Sequence, residues 1–325
     1  MAARIARALG ERRPHGRASL RMAIGDDAAI WEPRSGHEAI LSTDWFLEAS
    51  HFDREKHPAD SIGWKCLARA ASDIAAMGGE PRCFLLTLAL PSSHTGHWLD
   101  EFLQGLKRAS RRLRCSVAGG DTTRNEKILI SVTVVGEARK GCALLRSGAR
   151  PGDAIFVTGR LGEAELGLAE LRASRLLDYS RRQETVRIRK HLYPEPRFAV
   201  GQWLARRKIA TAMMDLSDGL STDSARLCAA SGVGAEIEEW RLPLAQALGR
   251  KRESLEDLLE AALHGGDDYE LVFTVRERIA RRIPRRIAGV NVTRIGTITR
   301  RRDILRVRSN GNREILPARG WDPFR

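Results

Sequence analysis

The sequence predicts a fold of the α/β class that is divided into two halves of similar length. Strand-like and helix-like segments alternate along its 325 residues, which is typical of α/β proteins. This length is about twice that of an average domain. A Gly-Ala-Arg-Pro-Gly segment at residues 148–152 interrupts the alternation near the middle of the chain. We therefore expect one domain over residues 1–147 and a second over residues 148–325.

Hydrophobic periodicity and turn signals place the individual elements. A short first helix is expected in the basic N-terminal stretch. In the first half the predicted strands lie at residues 38–43, 84–90 and 128–137, and the predicted helices at 58–77 and 95–113. In the second half the predicted strands lie at 154–158, 211–215, 270–275, 292–298 and 304–308. The helices of that half are expected at 162–177, 196–207, 219–231, 254–263 and 276–287.

The composition is that of a globular protein. Hydrophobic residues make up 42% and charged residues 30%, with no low-complexity tract, which excludes disordered, collagen-like and coiled-coil proteins. The longest apolar stretch, residues 84–90, is far short of the ~20 residues of a membrane helix, so we expect no membrane association. The basic N-terminus lacks the apolar core of a secretory signal, although an Arg-rich transit peptide fits its pattern. The five cysteines contain no CxxC pair, which favours reduced thiols in the cytoplasm.

A net charge of +14 raises the question of nucleic-acid binding. The basic residues, nearly all Arg, are spread along the chain, and no aromatic residues that could stack on bases are interleaved with them. An Arg-rich composition, with some attraction for small anions, is the simpler explanation. We therefore expect no nucleic-acid partner. The alternative, a basic nucleic-acid-binding protein, predicts DNA affinity that falls steeply with salt.

Acidic residues beside Gly, Ser and Thr are the most informative feature of this basic chain. They are predicted to lie at the ends of strands. Carboxylates grouped in this way suit Mg²⁺, which prefers oxygen ligands, and glycines let the backbone approach phosphate. Each cluster alone could be a turn or a helix cap, but six together favour a metal–nucleotide site. The six clusters are residues 24–27, 42–44, 72–73, 119–123, 215–219 and 265–270.

Several common nucleotide-binding and catalytic motifs are absent from the sequence. There is no GxxxxGK[ST], no GxGxxG opening a helix, no HRD and DFG pair, and neither GxSxG nor HExxH. An ATP-using enzyme with this sequence therefore has to position phosphates through metal ions, glycines and arginines.

Seven segments, taken in order, resemble the thiamine-monophosphate kinase family. They span nearly the whole chain, and the C-terminal GWDPF (320–324) resembles the family's tail. GDDAA or GGD alone would be weak evidence, because the wider aminoimidazole-ribonucleotide-synthetase-like superfamily shares them. The segments are GDDAA (25–29), STD (42–44) followed by HF (51–52), SDIAAMGGEP (72–81), GGDTT (119–123), RSGARPGD (146–153), MDLSDGL (214–220) and GGDDYEL (265–271).

The resemblance implies a fold and a reaction. The fold is the two-domain one of the superfamily, with an N-terminal α/β domain whose strands help to form a homodimer and a C-terminal α+β domain. The reaction is the direct, in-line transfer of a phosphoryl group from ATP to thiamine monophosphate, which yields thiamine diphosphate in the cytoplasm. Several Mg²⁺ ions are expected in each site. The acceptor phosphate is already ionised near neutral pH, so we assign no general base and no other catalytic residue.

The resemblance also implies roles for individual residues. The residues matched to metal ligands are Asp27, Ser42, Thr43, Asp44, Asp73, Asp121, Asp215 and Asp218. The residues matched to ATP contacts are Gly120, Asp121, Arg146 and Ser217. The residues matched to contacts with thiamine monophosphate are His51, Asp267 and Trp321.

Two segments depart from the family pattern. Asp267 stands where the family commonly has Glu, which is one methylene longer, and residues 45–50 replace a Thr followed by a Val-Glu-Gly-like run. Another enzyme of the superfamily, of the aminoimidazole-ribonucleotide-synthetase or hydrogenase-maturation type, is the main alternative. A hydrogenase-maturation protein would have a C-terminal cysteine, whereas the last cysteine here is Cys228. Trp321 near the C-terminus favours the thiamine family.

Overall fold

The computed structural model describes residues 1–9, 20–173, 185–247 and 253–324. Its first half contains three helices and six strands within those segments. They are α1 (Ala2–Leu9), β1 (Leu20–Met22), β2 (Ile30–Trp31), β3 (His37–Leu47), α2 (Ala59–Ala76), β4 (Glu80–Leu90), α3 (His97–Leu113), β5 (Ser116–Arg124) and β6 (Leu129–Arg139).

Four of these strands form a sheet in the order β3–β6–β4–β5. β6 is antiparallel to both of its neighbours, and β4 is parallel to β5. Because successive side chains of a strand point to opposite faces, each face has its own set of residues. One face carries Leu86 and Val132, which are buried in the same core as Ile62 and Leu67 of α2 and Phe102 of α3. The helices therefore cover this face of the sheet.

The other side of the sheet is covered only in part. The β1–β2 ribbon packs there in a small cluster with Cys83 and Ala118. Leu41, Trp45 and Leu85 remain exposed on the same side. We call the surface formed by these three side chains the open face. Exposed apolar residues grouped on one surface are typical of a site that binds another protein chain.

The second half is built around one large sheet. Its strands follow the order β14–β13–β9–β12–β7–β10–β8, and β11 pairs with β12. All residues of β7 and β10 are buried, because helices cover both faces at the centre of the sheet. The elements are β7 (Ala154–Thr158), α4 (Glu163–Ala173), α5 (Val186–Leu192), α6 (Phe198–Arg207), β8 (Ala210–Leu216), α7 (Leu220–Ser231), β9 (Gly234–Glu238), α8 (Leu255–His264), β10 (Glu270–Val275), α9 (Glu277–Ala280), β11 (Arg286–Ile287), β12 (Val290–Thr299), β13 (Ile304–Val307) and β14 (Arg313–Ile315).

Helix α2 lies between the two halves and packs against both. It is buried on most of its surface, as expected for a helix surrounded by protein. Its contact with α3 is close because Gly63 and Gly105 lie at the crossing. A Cβ at Gly63 would stand 2.0 Å from the carbonyl oxygen of Phe102, and one at Gly105 would stand 1.8 Å from that of Asp60.

The expected α/β first half and α+β second half are confirmed, and most predicted elements are present. The helix predicted over 276–287 is wrong, since α9 ends at Ala280. Pro284 explains the early end, because proline lacks an N–H group and disfavours a helical residue before it. Of the helix predicted over 162–177, residues 174–177 lie outside the described segments. The expected boundary at residue 147 stays a prediction.

Seven elements were missed, namely β1, β2, β5, α5, β9, β11 and β14. β5 is the important one, because its Gly-Gly-Asp-Thr-Thr segment has the composition of a turn. Pairing with β4 makes it a strand in spite of that composition. Gly120 is required there: its φ is +151°, and a Cβ would stand 1.8 Å from the carbonyl oxygen of Leu86. The expectation that every acidic cluster ends a strand is also wrong, because residues 42–44 lie inside β3 and residues 72–73 inside α2.

Within the described segments, no helix combines the length and the apolar character needed to cross a membrane.

Candidate active site

A cleft of about 1680 Å³ lies between the two halves of the molecule. The first half contributes the C-terminal part of β3, the loop that follows it, and α2. The second half contributes α4, the β8–α7 turn, the segment from α8 to β10 and the C-terminal tail. Nine of the residues expected in the site line this cleft, or nearly two thirds of them: Thr43, Asp44, His51, Asp73, Asp215, Ser217, Asp218, Asp267 and Trp321.

Helix α2 turns a row of polar side chains toward the cleft. The row consists of Lys65, Arg69, Ser72 and Asp73, which follow the i, i+4, i+7, i+8 spacing of a single helix face. The rest of the helix is mostly apolar and packs in the core. We call these four residues the polar stripe of α2. Arg69 and Asp73 line the cleft, whereas Lys65 and Ser72 are buried behind its wall.

Two serines hold the carboxylates of the cleft in place. The Ser42 hydroxyl of β3 donates to the Asp73 carboxylate, and the Ser72 hydroxyl donates to Oδ2 of Asp215 at 2.7 Å. These two hydrogen bonds join β3, α2 and β8. Ser42 itself is absent from the cleft lining, but its partner Asp73 is part of that lining.

Burial and mutual repulsion disfavour the charged forms of these carboxylates. Burial raises the pKa of Asp44 to about 6; Arg69 opposes the shift, whereas Asp73 and Asp218 add to it. Burial and the neighbouring Asp73 raise the pKa of Asp215 well above its usual range. Both shifts are those expected when carboxyl groups are buried close to one another.

The β8–α7 turn presents Ser217 and Asp218 to the cleft. The backbone N–H groups of both residues donate to Oδ2 of Asp223, each at 3.0 Å. The buried Asp223 carboxylate, one turn into α7, thereby fixes the turn. Arg226 pairs with Asp218 and Asp223. The possibility that Asp218 caps α7 is wrong, because the N-cap residue is Gly219.

Next to the Ser217–Asp218 turn, aromatic and acidic side chains come together. The ring centroids of His51 and Trp321 are 6.1 Å apart. Trp321 is held there because its backbone N–H donates to the carbonyl oxygen of Asp218 at 2.9 Å. Burial and the nearby Arg69 lower the pKa of His51 to about 4, so its ring is neutral at physiological pH.

Asp267 in this part of the cleft is tied to a buried lysine. Nζ of Lys65 donates to Oδ2 of Asp267 at 2.8 Å, and the Tyr269 hydroxyl donates to Oδ1 at the same distance. The Lys65 side chain is only 1% exposed, and burial lowers its pKa, whereas the Asp267 carboxylate opposes that shift. Burial alone would raise the pKa of Asp267, but Lys65 and His191 hold it well below its usual range. Asp267 is therefore a carboxylate in the folded protein.

Besides Ser42, four of the expected site residues lie away from the cleft lining. Asp27 is exposed in the turn of the β1–β2 ribbon. Gly120 and Asp121 lie on β5, three strands from Asp44, which is roughly 14 Å at the usual strand spacing. Arg146 is exposed in the connection between the halves, where its carbonyl oxygen accepts from the Ser231 hydroxyl. One chain thus brings most, but not all, of the expected set together.

The donor set of the cleft suits a hard cation. Asp44, Asp73, Asp215 and Asp218 supply carboxylate oxygens, which Mg²⁺ prefers. The raised pKa values of Asp44 and Asp215 are of the kind that a bound cation would relieve. In the described segments, no group of three or more His, Cys, Asp or Glu side chains is close enough to form a complete metal site. The carboxylates therefore fit Mg²⁺ in chemistry and would need waters or phosphate oxygens as further ligands.

The sequence patterns missed Lys65, Arg69 and Asp223. The first two could have been found, since two cations at i and i+4 on an otherwise apolar helix are unusual unless they face a polar site. Asp223 carried a weaker signal, because an acidic residue in the first turn of a helix is common for reasons of helix stability alone.

Comparisons with known proteins identify the family. The model for "AIR synthase related protein, N-terminal domain" matches residues 25–138, and that for the C-terminal domain matches residues 150–308. Thiamine-monophosphate kinase of Escherichia coli strain K12 is 38% identical over 310 residues, covering 95% of this chain and 93% of the relative. The enzyme of the same name from Synechococcus elongatus is 37% identical over 306 residues, covering 92% and 91%. The chain belongs to the thiamine-monophosphate kinase family.

Solved structures give the same result. The thiamine-monophosphate kinase of Stenotrophomonas maltophilia K279a superposes with a TM-score of 0.79 at 34% identity and covers 97% of both chains. The complex of AaThiL with AMPPCP and TMP superposes with a TM-score of 0.76 at 31% identity, covering 99% of this chain and 95% of the other. Hydrogenase maturation protein HypE in complex with ATP has a TM-score of 0.73 at 18% identity and shares the fold. The expected family and two-domain architecture are confirmed.

Proposed function

We propose that this member of the thiamine-monophosphate kinase family transfers the γ-phosphoryl group of ATP to thiamine monophosphate, giving thiamine diphosphate and ADP. The observation that carries the proposal is the pairing of two chemistries in one cleft. Crowded carboxylates suit metal-bound phosphates, and the adjoining His51, Asp267 and Trp321 suit an aromatic cation. The relatives at 34–39% identity carry the name of this activity.

The proposed transfer is a single displacement. An oxygen of the acceptor phosphate forms a bond to the γ-phosphorus of ATP. The bond between that phosphorus and the β–γ bridging oxygen breaks, and its electron pair leaves with ADP. Because the transition state of such transfers is loose, the protein mainly aligns the two phosphates and stabilises their charge. The acceptor oxygen carries no proton near neutral pH, so no side chain has to act as a base.

Mg²⁺ is the cation that we propose for the crowded carboxylates. Asp44, Asp73, Asp215 and Asp218 would hold it, and Ser42 and Ser72 would orient two of these carboxylates. When bound, Mg²⁺ would offset the repulsion between the donor and acceptor phosphates. We also propose that Thr43, Asp27 and Asp121 are metal ligands and that Gly120, Arg146 and Ser217 contact ATP. These roles are proposed because the residues match the motifs of the family.

Two further features belong to the proposal. We propose a homodimer that forms through the open face, and Asp27 and Asp121 lie on that side of the first sheet. A second copy docked there would therefore approach both residues. We also propose that the enzyme works in the cytoplasm. In support, all five cysteines are free thiols, and four of them are buried.

The direct test is to incubate the purified protein with ATP, Mg²⁺ and thiamine monophosphate and to separate the products by chromatography. We expect thiamine diphosphate and ADP in equal amounts, and none of either when EDTA removes the metal. Unphosphorylated thiamine serves as the control acceptor and should give no product. A folded protein that forms no thiamine diphosphate, or that phosphorylates thiamine equally well, would contradict the proposal.

A further inference from the structure

We propose that Arg69 binds the phosphate group of the acceptor, thiamine monophosphate, and so distinguishes it from unphosphorylated thiamine. The inference rests on the proposed function and adds a specificity-determining residue to it. No motif of the sequence pointed to Arg69. Arg69 is singled out by its position in the polar stripe of α2.

The guanidinium of Arg69 is nearly buried and has no hydrogen-bond partner among the described residues. Its side chain is 15% exposed, and its Nε is buried with no hydrogen-bond partner among the described residues. Its nearest carboxylate is that of Asp44, where Nη2 and Oδ1 are 3.9 Å apart, too far for a hydrogen bond. In the described segments it makes no hydrogen bond at all, although a guanidinium has five N–H donors.

Charge balance within the cleft does not account for this arrangement. A cation kept only to neutralise carboxylates is expected to hydrogen-bond to them, as Lys65 does to Asp267 at 2.8 Å on the same helix. Instead, the Arg69 guanidinium carbon lies 5.3 Å from the centre of the Phe46 ring. This cation–π contact supports the guanidinium without using its N–H groups. Leaving such donors unpaired in a buried position costs free energy, which a ligand would recover.

The position of Arg69 indicates which ligand group it would meet. Its charge is influenced both by Asp44 and Asp218, which are proposed to hold metal ions, and by Asp267, which is proposed to contact the thiamine portion. His51, which is also proposed to contact thiamine monophosphate, is close enough for Arg69 to lower its pKa. Thiamine monophosphate has to place its phosphate between its own ring system and the metal-bound donor. That place is the one beside Arg69, and a planar guanidinium matches two phosphate oxygens at once.

The test compares the binding of two ligands that differ only in the phosphate. Titration calorimetry of the full-length protein, in buffer with Mg²⁺ and without ATP, gives the Kd of thiamine monophosphate and of thiamine. For Arg69→Met we expect the Kd of thiamine monophosphate to rise at least tenfold, while that of thiamine stays within twofold. Arg112→Met, which removes one exposed cation from α3, is the matched control and should change neither.

Arg69→Lys covers the case in which the Met variant does not fold. It keeps the charge but loses the bidentate geometry of the guanidinium. We therefore expect a smaller rise in Kd, which is again confined to thiamine monophosphate. Equal losses for both ligands, or no loss in either variant, would overturn the inference. The proposed function fails separately, since it requires the wild-type protein to bind and phosphorylate thiamine monophosphate in the first place.

Discussion

The carboxylates of the cleft come from separate elements and are held by neighbours that orient them. Asp44 comes from β3, Asp73 from α2, and Asp215 and Asp218 from β8 and the turn after it. The pKa values of Asp44 and Asp215 are raised because both carboxyl groups are buried and because neighbouring carboxylates repel their charge. Such carboxylates are poorly explained by stability alone, and they fit a role in binding cations.

We expect Asp44→Ala, Asp121→Ala and Asp218→Ala each to lower kcat by at least ~100-fold, as loss of a preorganised charged group typically does. The fold should survive in all three, because none of these side chains is part of a hydrophobic core. Steady-state kinetics at saturating Mg²⁺, together with circular dichroism, would check this. Asp303→Ala, an exposed change far from the cleft, is the control. Near-normal turnover in any two of the three variants would contradict the multi-metal proposal.

Trp321 should act on the thiamine end of the site and not on ATP. Its ring faces the cleft beside His51, and the thiazolium of thiamine is a permanent cation. A cation–π contact of ~0.5–2 kcal/mol predicts that Trp321→Ala raises the KM for thiamine monophosphate several-fold to tens-fold. The KM for ATP should hardly change. Trp240→Ala, at a similarly exposed tryptophan outside the cleft, is the control. Lower thermal stability with both KM values unchanged would mean that Trp321 only packs the C-terminal tail.

At the level of elements, α2 is the part on which the site depends most. It touches both halves, carries the polar stripe and packs closely on α3 where Gly63 and Gly105 cross. The close approach matters because it sets the distance between the stripe and β3, and thus the geometry of the Ser42–Asp73 hydrogen bond.

We expect Gly63→Ala to destabilise the protein by ~1–3 kcal/mol or more, since the new methyl group would overlap a backbone oxygen. The higher helix propensity of Ala would recover only about 1 kcal/mol. Urea unfolding followed by circular dichroism measures the difference. Gln104→Ala, an exposed change on α3 that adds no atoms, should stay within about 0.5 kcal/mol of the wild type. Equal stability of Gly63→Ala and wild type would disprove the close crossing.

β10 begins with a buried carboxylate that ties it to α5 and α6. Glu270 is fully buried, and burial by itself disfavours its charge. Lys190 and Arg197 nevertheless lower the pKa of Glu270 to about 2. Because this folded-state pKa lies below the unfolded value, the ion pairs stabilise the protein above about pH 4. That stabilisation is lost as the pH falls from about 4 toward 2.

The difference between the folded-state and unfolded-state pKa of Glu270 predicts how the stability of the Glu270→Gln variant depends on pH. At pH 6 the variant should be less stable than wild type by about 3 kcal/mol or more, because it also leaves two buried cations unpaired. The difference in stability between wild type and variant should shrink as the pH falls to 3, since the wild-type carboxylate becomes protonated in the unfolded state. Urea unfolding of both proteins at pH 3, 4, 5 and 6 would measure this difference. Glu277→Gln, in a half-exposed pair with Arg294, should show no such trend. A difference independent of pH would contradict the assigned pKa.

For the molecule as a whole, the open face is the surface least explained by a single chain. Leu41, Trp45 and Leu85 are exposed together on one sheet, and this is the part of the fold through which we propose dimerisation. We expect sedimentation equilibrium to give twice the chain mass of 36.2 kDa. Trp45→Asp should shift the protein toward monomers, because it places a charge in an apolar contact. Trp240→Asp is the control for added charge, and a wild-type monomer at micromolar concentration would refute the proposal.

Much of the architecture was predictable because it depends on local patterns. The helices α2, α3 and α7 and the strands β7 and β10 follow from periodicity and from Gly and Pro signals. β5 was not predictable, because its residues disfavour a strand and only the neighbouring β4 makes it one. In the candidate site, the acidic segments could be recognised by their Gly and Ser neighbours. Lys65 and Arg69 were not predicted, because they lie within a helix that carries no such motif.

The residue types and their order along the chain were enough to indicate the family and the class of chemistry. Their spatial grouping was not contained in any local segment. Lys65 meets Asp267 across 202 positions of sequence, and Ser72 meets Asp215 across 143. Such pairs form only when α2 packs between the two sheets, because burial of its apolar faces fixes where its polar stripe points. The same packing leaves Asp27 and Asp121 outside the cleft of one chain, although their motifs resemble those of the residues inside it.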